Sequence, residues 1–115
     1  MLSAVRPVTV TDTTFPSEVV DSELPVLVFM WADWNSTCKA LAPTITALAE
    51  DYAERVKVAK LDVDANPRTP ALFAVVNVPT LLILDRGQVV SRIVGYRHAP
   101  VIRAELDEVL TSATA

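Results

Sequence analysis

The chain contains one cysteine, Cys38, and the residue types around it could support thiol chemistry. The stretch at residues 31–38, Trp-Ala-Asp-Trp-Asn-Ser-Thr-Cys, follows a continuous apolar run and precedes a segment of helical character. A thiol in the first turn of a helix lies near free backbone N–H groups and the positive end of the helix dipole, which stabilise a thiolate. Asn35 is a residue type favoured at a helix N-cap. Cys38 is therefore either a reactive monothiol or a small buried apolar residue.

Composition excludes several classes of function. A chain of 115 residues with 51% apolar residues suits one domain, residues 1–115, with one core. The net charge of −4, without a basic patch, argues against nucleic acid as a partner. The apolar runs are far shorter than the roughly 20 residues of a membrane span, so we expect no membrane association. One histidine and one cysteine cannot build a structural zinc site, and we expect neither a metal nor a cofactor.

Residues 1–7 lack the basic and apolar regions of a signal peptide. We therefore expect a cytoplasmic protein, and we expect it to be a monomer.

Hydrophobic periodicity predicts strands that alternate with helices. Strands are predicted at residues 8–10, 26–30, 56–64, 80–84 and 89–94. Helices are predicted at residues 15–21, 36–53, 69–75 and from residue 100 onward, with fraying at 111–115. Pro43 should kink the second helix, and Gly87 favours a hairpin turn between the last two strands. The pattern indicates an α/β domain with a mixed sheet.

Several separated motifs resemble those of the thioredoxin family, in the family's order and over nearly the whole chain. They are Trp31-Ala32-Asp33-Trp34, Cys38-Lys39, Ala42-Pro43, Val58-Ala59-Lys60 with Asp64, Val78-Pro79-Thr80-Leu81, Arg86-Gly87 and Val94-Gly95. The resemblance implies a thioredoxin fold, with a central five-stranded mixed sheet in the order 1-3-2-4-5 flanked by four helices. It also implies a cis peptide bond before Pro79.

Two positions depart from the family pattern, and both bear on redox chemistry. Where the family has Cys-Gly-Pro-Cys, this chain has Asn-Ser-Thr-Cys, so Asn35 stands in place of the nucleophile and Cys38 keeps only the resolving position. The family's buried aspartate, which assists proton transfer, is matched by Phe29. Because a dithiol cycle needs two thiols, this chain alone cannot run the standard reductase mechanism. By analogy with the family position, we favour the buried interpretation of Cys38.

The resemblance also implies a groove that binds extended polypeptide through backbone hydrogen bonds to the residue before Pro79. Its candidate residues are Trp34, Val78, Pro79, Thr80, Gly95 and Tyr96. Such recognition needs no cysteine. The leading hypothesis is therefore an atypical thioredoxin-like protein of cell redox homeostasis that binds a protein or peptide partner in this groove.

Two other hypotheses use the thiol. Cys38 could act as a monothiol in mixed-disulfide or peroxide chemistry, or a partner could supply the missing cysteine in trans. Lys60 loses the aspartate that partners its family counterpart, so Asp62 or Asp64 could pair with it instead. Trp34 is predicted to be exposed and Trp31 to lie in the core.

Overall fold

The strands form one mixed sheet, in which the third strand of the chain lies between the first and the second. The computed structural model describes residues 5–114, and the side chains of residues 5–112. The strands are β1 Val8–Thr9, β2 Val26–Trp31, β3 Lys57–Asp62, β4 Thr80–Asp85 and β5 Gln88–Val94. Their order is β1-β3-β2-β4-β5. The first three strands run parallel, and β4 pairs antiparallel with both β2 and β5. The predicted fold is confirmed.

Four helical segments flank the sheet: a π-helical turn at Pro16–Val20, α1 at Ser36–Asp51, α2 at Arg68–Leu72 and α3 at Ala99–Thr114. The first is a π turn because Asp21 donates to the carbonyl of Pro16, a wider bond than in an α-helix. None of the described helices combines the length and the apolarity needed to cross a bilayer.

The C-terminal helix differs from the prediction, and the outermost residues of the chain lie outside the described part. Helix α3 continues to Thr114, so the predicted fraying from residue 111 was wrong for residues 111–114. Its apolar stripe, including the buried Leu106 and Val109, holds the last turns against the sheet. Residue 115 and residues 1–4, which carry part of the signal-peptide argument, lie outside the described residues.

Strand β2 lies in the centre of the sheet and is covered on both faces, as its uninterrupted apolar run predicted. Leu27 and Phe29 point into a cluster built by α1 and α3. Val28 and Met30 point into a second cluster, with the π turn and the residues after α2. Both layers are buried, so the C-terminal end of β2 and the start of α1 have fixed positions.

The hairpin between β4 and β5 has the predicted glycine turn. Arg86 and Gly87 both have positive φ angles, 51° and 83°, the geometry of a tight turn that matches strand twist. A Cβ atom at Gly87 would lie 3.0 Å from Cγ1 of Val20, so a side chain there would also be crowded. This hairpin directs β5 back toward the end of the sheet where Pro79 lies.

Candidate functional site

Asn35 lies at the start of α1, and its side chain makes two hydrogen bonds within the chain. Its backbone is extended, and Oδ1 accepts from the N–H of Cys38 at 2.8 Å, as in an N-cap. Nδ2 donates to the carbonyl oxygen of Val78 at 3.3 Å. The amide therefore joins the start of α1 to the loop that precedes Pro79. Capping was predicted from the sequence, but the bond to Val78 was not.

Cys38 lies in the core. Its side chain is 2% exposed and belongs to the cluster that contains Phe29 and Leu41. Burial raises the pKa of the thiol, and a backbone hydrogen bond from Ala32 offsets only part of that shift. Since the thiolate is the reactive form of cysteine, burial disfavours reactivity at this position. The structure places Cys38 as the buried interpretation predicts.

The loop before β4 contains a cis peptide bond between Val78 and Pro79, as the resemblance implies. The N–H of Gly95, just after β5, donates to the carbonyl of Pro79 at 2.9 Å. The bond from Asn35 reaches the same loop from the other side. Three separated segments, at residues 34–35, 78–79 and 95–96, therefore meet at one end of the sheet.

The predicted groove residues differ in what they expose. Val78 is half-buried, and its N–H makes no hydrogen bond to the described residues. Pro79 is buried. Thr80 departs from the expectation that it contacts a ligand, because its side chain is 1% exposed. Its hydroxyl donates to the carbonyl of Asn77 at 2.7 Å, so it supports the loop from beneath.

Trp34 is the largest exposed apolar side chain at this site, with 69% of its surface accessible. Its indole Nε1 donates to Oδ2 of Asp64 at 2.8 Å, so the ring is held in place although it is exposed. Trp31, in contrast, packs against the core, as predicted. Asp64 was not predicted in this role. Its position just beyond β3, beside the end of the neighbouring β2, could have suggested it.

A hollow of about 230 Å³ lies beside Trp34, and one wall of it was missed from the sequence. Val75 and Val76 line it together with Val78, and Val76 is 87% exposed. The prediction extended the helix before this loop to residue 75, whereas α2 ends at Leu72. Two consecutive valines directly before Asn77 and a proline loop are the sequence signal that could have indicated an exposed apolar wall.

Tyr96 directly follows Gly95, whose N–H donates to the carbonyl of Pro79. Its side chain is 38% exposed, and its ring contacts that of His98 edge to face, with centroids 5.3 Å apart. Gly95, with φ of 85°, makes the turn that presents Tyr96. The groove is thus the hollow lined by Trp34, Val76 and Val78, and Tyr96 is exposed near the same end of the sheet without lining it.

The suggested pairing of Lys60 with Asp62 or Asp64 was wrong. Asp64 accepts from Trp34, and Oδ1 of Asp62 accepts from the backbone N–H groups of Asp64 and Ala65. Lys60 makes no ion pair with any described residue. Within the described part of the chain, no group of three His, Cys, Asp or Glu side chains is placed to hold a metal ion.

Comparison with known proteins agrees with this geometry. The thioredoxin family model matches residues 6–108. The chain is 45% identical over 101 residues to a thioredoxin of Mycobacterium tuberculosis, covering 88% of this chain and 87% of that protein. A thioredoxin of Listeria monocytogenes is 45% identical over 101 residues, 88% of this chain and 92% of the relative. One from Haemophilus influenzae is 45% identical over 86 residues, 75% of this chain and 80% of the relative. This chain therefore belongs to the thioredoxin family.

Proposed function

We propose that this chain is an atypical thioredoxin that binds polypeptide in its groove and does not run a dithiol cycle. The proposal is supported chiefly by the hydrogen bonding of the Asn35 side chain. It stands where the family has its nucleophile, and its amide is already bonded to the N–H of Cys38 and the carbonyl of Val78. The chain therefore keeps the shape of the site without the group that would attack a disulfide.

The backbone at Val78 can still recognise an extended segment. Its N–H is not bonded to any described residue, and its carbonyl oxygen has a second lone pair beside the one that Asn35 uses. An extended peptide can pair with such groups as an added strand, and apolar contacts then supply affinity. Trp34 and Val76, which line the hollow, and Tyr96 nearby are exposed and available for those contacts. Exposed aromatic residues of this kind often dominate binding energy.

The monothiol alternative has less support from the geometry. The thiol of Cys38 is buried and its pKa is raised, whereas a reactive cysteine is exposed and has a lowered pKa. The same burial counts against a disulfide completed by a partner's cysteine. We therefore propose a role in redox homeostasis through recognition, with no electron transfer by this chain.

A defined peptide tests the proposal. Peptides of random sequence are displayed and selected on the wild-type protein, and one selected peptide is synthesised for titration. We expect Trp34→Ala to weaken its binding about tenfold or more, because the indole is a rigid and mostly exposed anchor. The control is Val90→Ala, which removes a 51% exposed side chain near the opposite end of β5. Isothermal titration calorimetry measures both.

Cys38→Ala separates the two hypotheses. Binding of the same peptide should be unchanged in this variant, since the groove recognises backbone and apolar groups. Equal binding by wild type and Trp34→Ala would contradict the groove. Binding that requires Cys38 would favour monothiol chemistry instead.

A further inference from the structure

A second concave site opens on the face of the sheet that α1 covers. It is a crevice of about 170 Å³, and it shares none of its lining residues with the hollow beside Trp34. Its apolar walls include Phe29, Trp31 and Ala42, and its charged lining residues are Lys39, Lys60 and Asp33. The crevice is thus mostly apolar inside and carries more positive than negative charge.

The crevice continues along β3. A neighbouring crevice of about 410 Å³ has Phe29, Ala42 and Lys60 in common with the first, and it adds Arg6 and Ile45. Lys60 therefore borders both spaces, of which the first is mainly apolar and the second is about equally polar and apolar. Across both spaces the charged lining residues are three cations and one carboxylate, although the whole chain has a net charge of −4.

Strand register explains why Lys60 lies there. Lys60 of β3 pairs with Phe29 of β2 and with Thr9 of β1. Paired residues of neighbouring parallel strands point to the same face of a sheet. The side chain of Lys60 therefore lies beside the ring of Phe29, on the face that α1 covers. Lys60 is half-buried as a residue and has no ion pair among the described residues. An ammonium group beside apolar walls with no paired carboxylate favours an anionic ligand.

We propose that this crevice binds a small carboxylate with an apolar body, whose carboxylate pairs with Lys60 and whose body packs against Phe29 and Ala42. The size supports this class of ligand. A cavity of about 150 Å³ lined by apolar side chains is known to hold one benzene ring. The space of about 170 Å³ therefore suits one aromatic ring or a short alkyl chain. The site is independent of the groove at Val78.

Titration with benzoate at pH 7, followed by ¹H–¹⁵N NMR, tests the proposal on the wild-type protein. We expect saturable shifts of the amides of Ala32, Ala42 and Lys60, and smaller ones at Val76 and Val78.

Lys60→Gln should weaken benzoate binding about fivefold or more, because it removes a charge-assisted contact. Lys57→Gln is the matched control, since Lys57 lies on the same strand and its ammonium is bonded to Glu18. Benzyl alcohol, which has the ring without the charge, should bind about fivefold more weakly than benzoate.

A second variant tests the apolar part of the site. Ala42→Leu places three more carbon atoms at the wall shared by both crevices, and it should abolish the benzoate shifts while Lys60 is intact. The spectrum of each variant without ligand reports whether it is folded. Shifts that do not saturate, that centre on Trp34 and Val78, or that weaken equally in Lys57→Gln and Lys60→Gln would overturn the proposal.

Discussion

The groove at Asn35 and the crevice at Lys60 lie on either side of the junction between β2 and α1, and they differ in how their polar groups are used. In the groove, both ends of the Asn35 amide are bonded to the chain itself. In the crevice, Lys60 lies beside Phe29 on the neighbouring strand and has no ion pair among the described residues. The polar side chain of the groove is therefore held by internal hydrogen bonds, whereas the charged side chain of the crevice has no ionic partner.

The crevice and the groove should differ most in how much they contribute to the free energy of unfolding. Phe29 is 4% exposed and Trp34 is 69% exposed, so equal truncations should have unequal costs. We expect Phe29→Ala to lower the free energy of unfolding by about 3–5 kcal/mol, and Trp34→Ala by less than about 1 kcal/mol. Urea unfolding followed by circular dichroism measures both. Comparable losses of unfolding free energy in the two variants would mean that Trp34 contributes to the core as much as Phe29 does.

A smaller effect should separate the two bonds of Asn35. Asn35→Ala removes the N-cap and the link to Val78, and it should cost about 1–2 kcal/mol of unfolding free energy. Asn35→Asp keeps an acceptor for the N–H of Cys38 but removes the donor to Val78. It should cost less than Asn35→Ala at pH 7. If Asn35→Ala unfolds at the wild-type urea concentration, the amide does not fix the groove.

The smallest effect should appear at alkaline pH, and it comes from Cys38. Burial raises the pKa of this thiol in the folded protein, so folding favours its protonated form. The resulting stability is fully present below the unfolded thiol pKa, about 8.5, and is lost as pH rises through the higher folded value. We expect Cys38→Ala to lose less stability than wild type between pH 7 and pH 10, measured from urea midpoints.

Tyr52 provides the control for that measurement. Burial and the hydrogen bond to Asp107 raise the pKa of its hydroxyl, so it adds a loss of its own that begins near pH 10, the ordinary tyrosine pKa, and continues above it. Tyr52→Phe should remove this part and leave that of Cys38. An identical alkaline loss in wild type and Cys38→Ala would indicate that the thiol is solvated in the folded state.

The sequence predicted the fold well because its signals are local and repeated. The apolar run of β2, the turn at Gly87 and the Val78-Pro79 motif each specify one element, whereas the strand order came from the resemblance to the thioredoxin family. The observed ends of the helices and strands differ from the predicted ones by a few residues. Helix α2, for example, ends at Leu72 and not at residue 75, and Val76 in the loop that follows is exposed.

The contacts between distant segments could not be predicted in the same way. Asn35 was expected to cap α1, but its bond to Val78 joins residues 43 positions apart. Asp64 accepts a hydrogen bond from the indole of Trp34 and makes no ion pair with Lys60. Such choices depend on side-chain distances across strand ends, and a sequence pattern does not contain them.

The amide of Asn35 has a consequence for how the groove responds to its surroundings. A carboxamide has no oxidation state that cellular oxidants or thiols can change, and the thiol of Cys38 is almost wholly buried, at the wall of the crevice beneath α1. We therefore expect the groove to keep one shape under oxidising and reducing conditions. On the function proposed here, its occupancy would depend on the concentration of the partner and not on the redox potential.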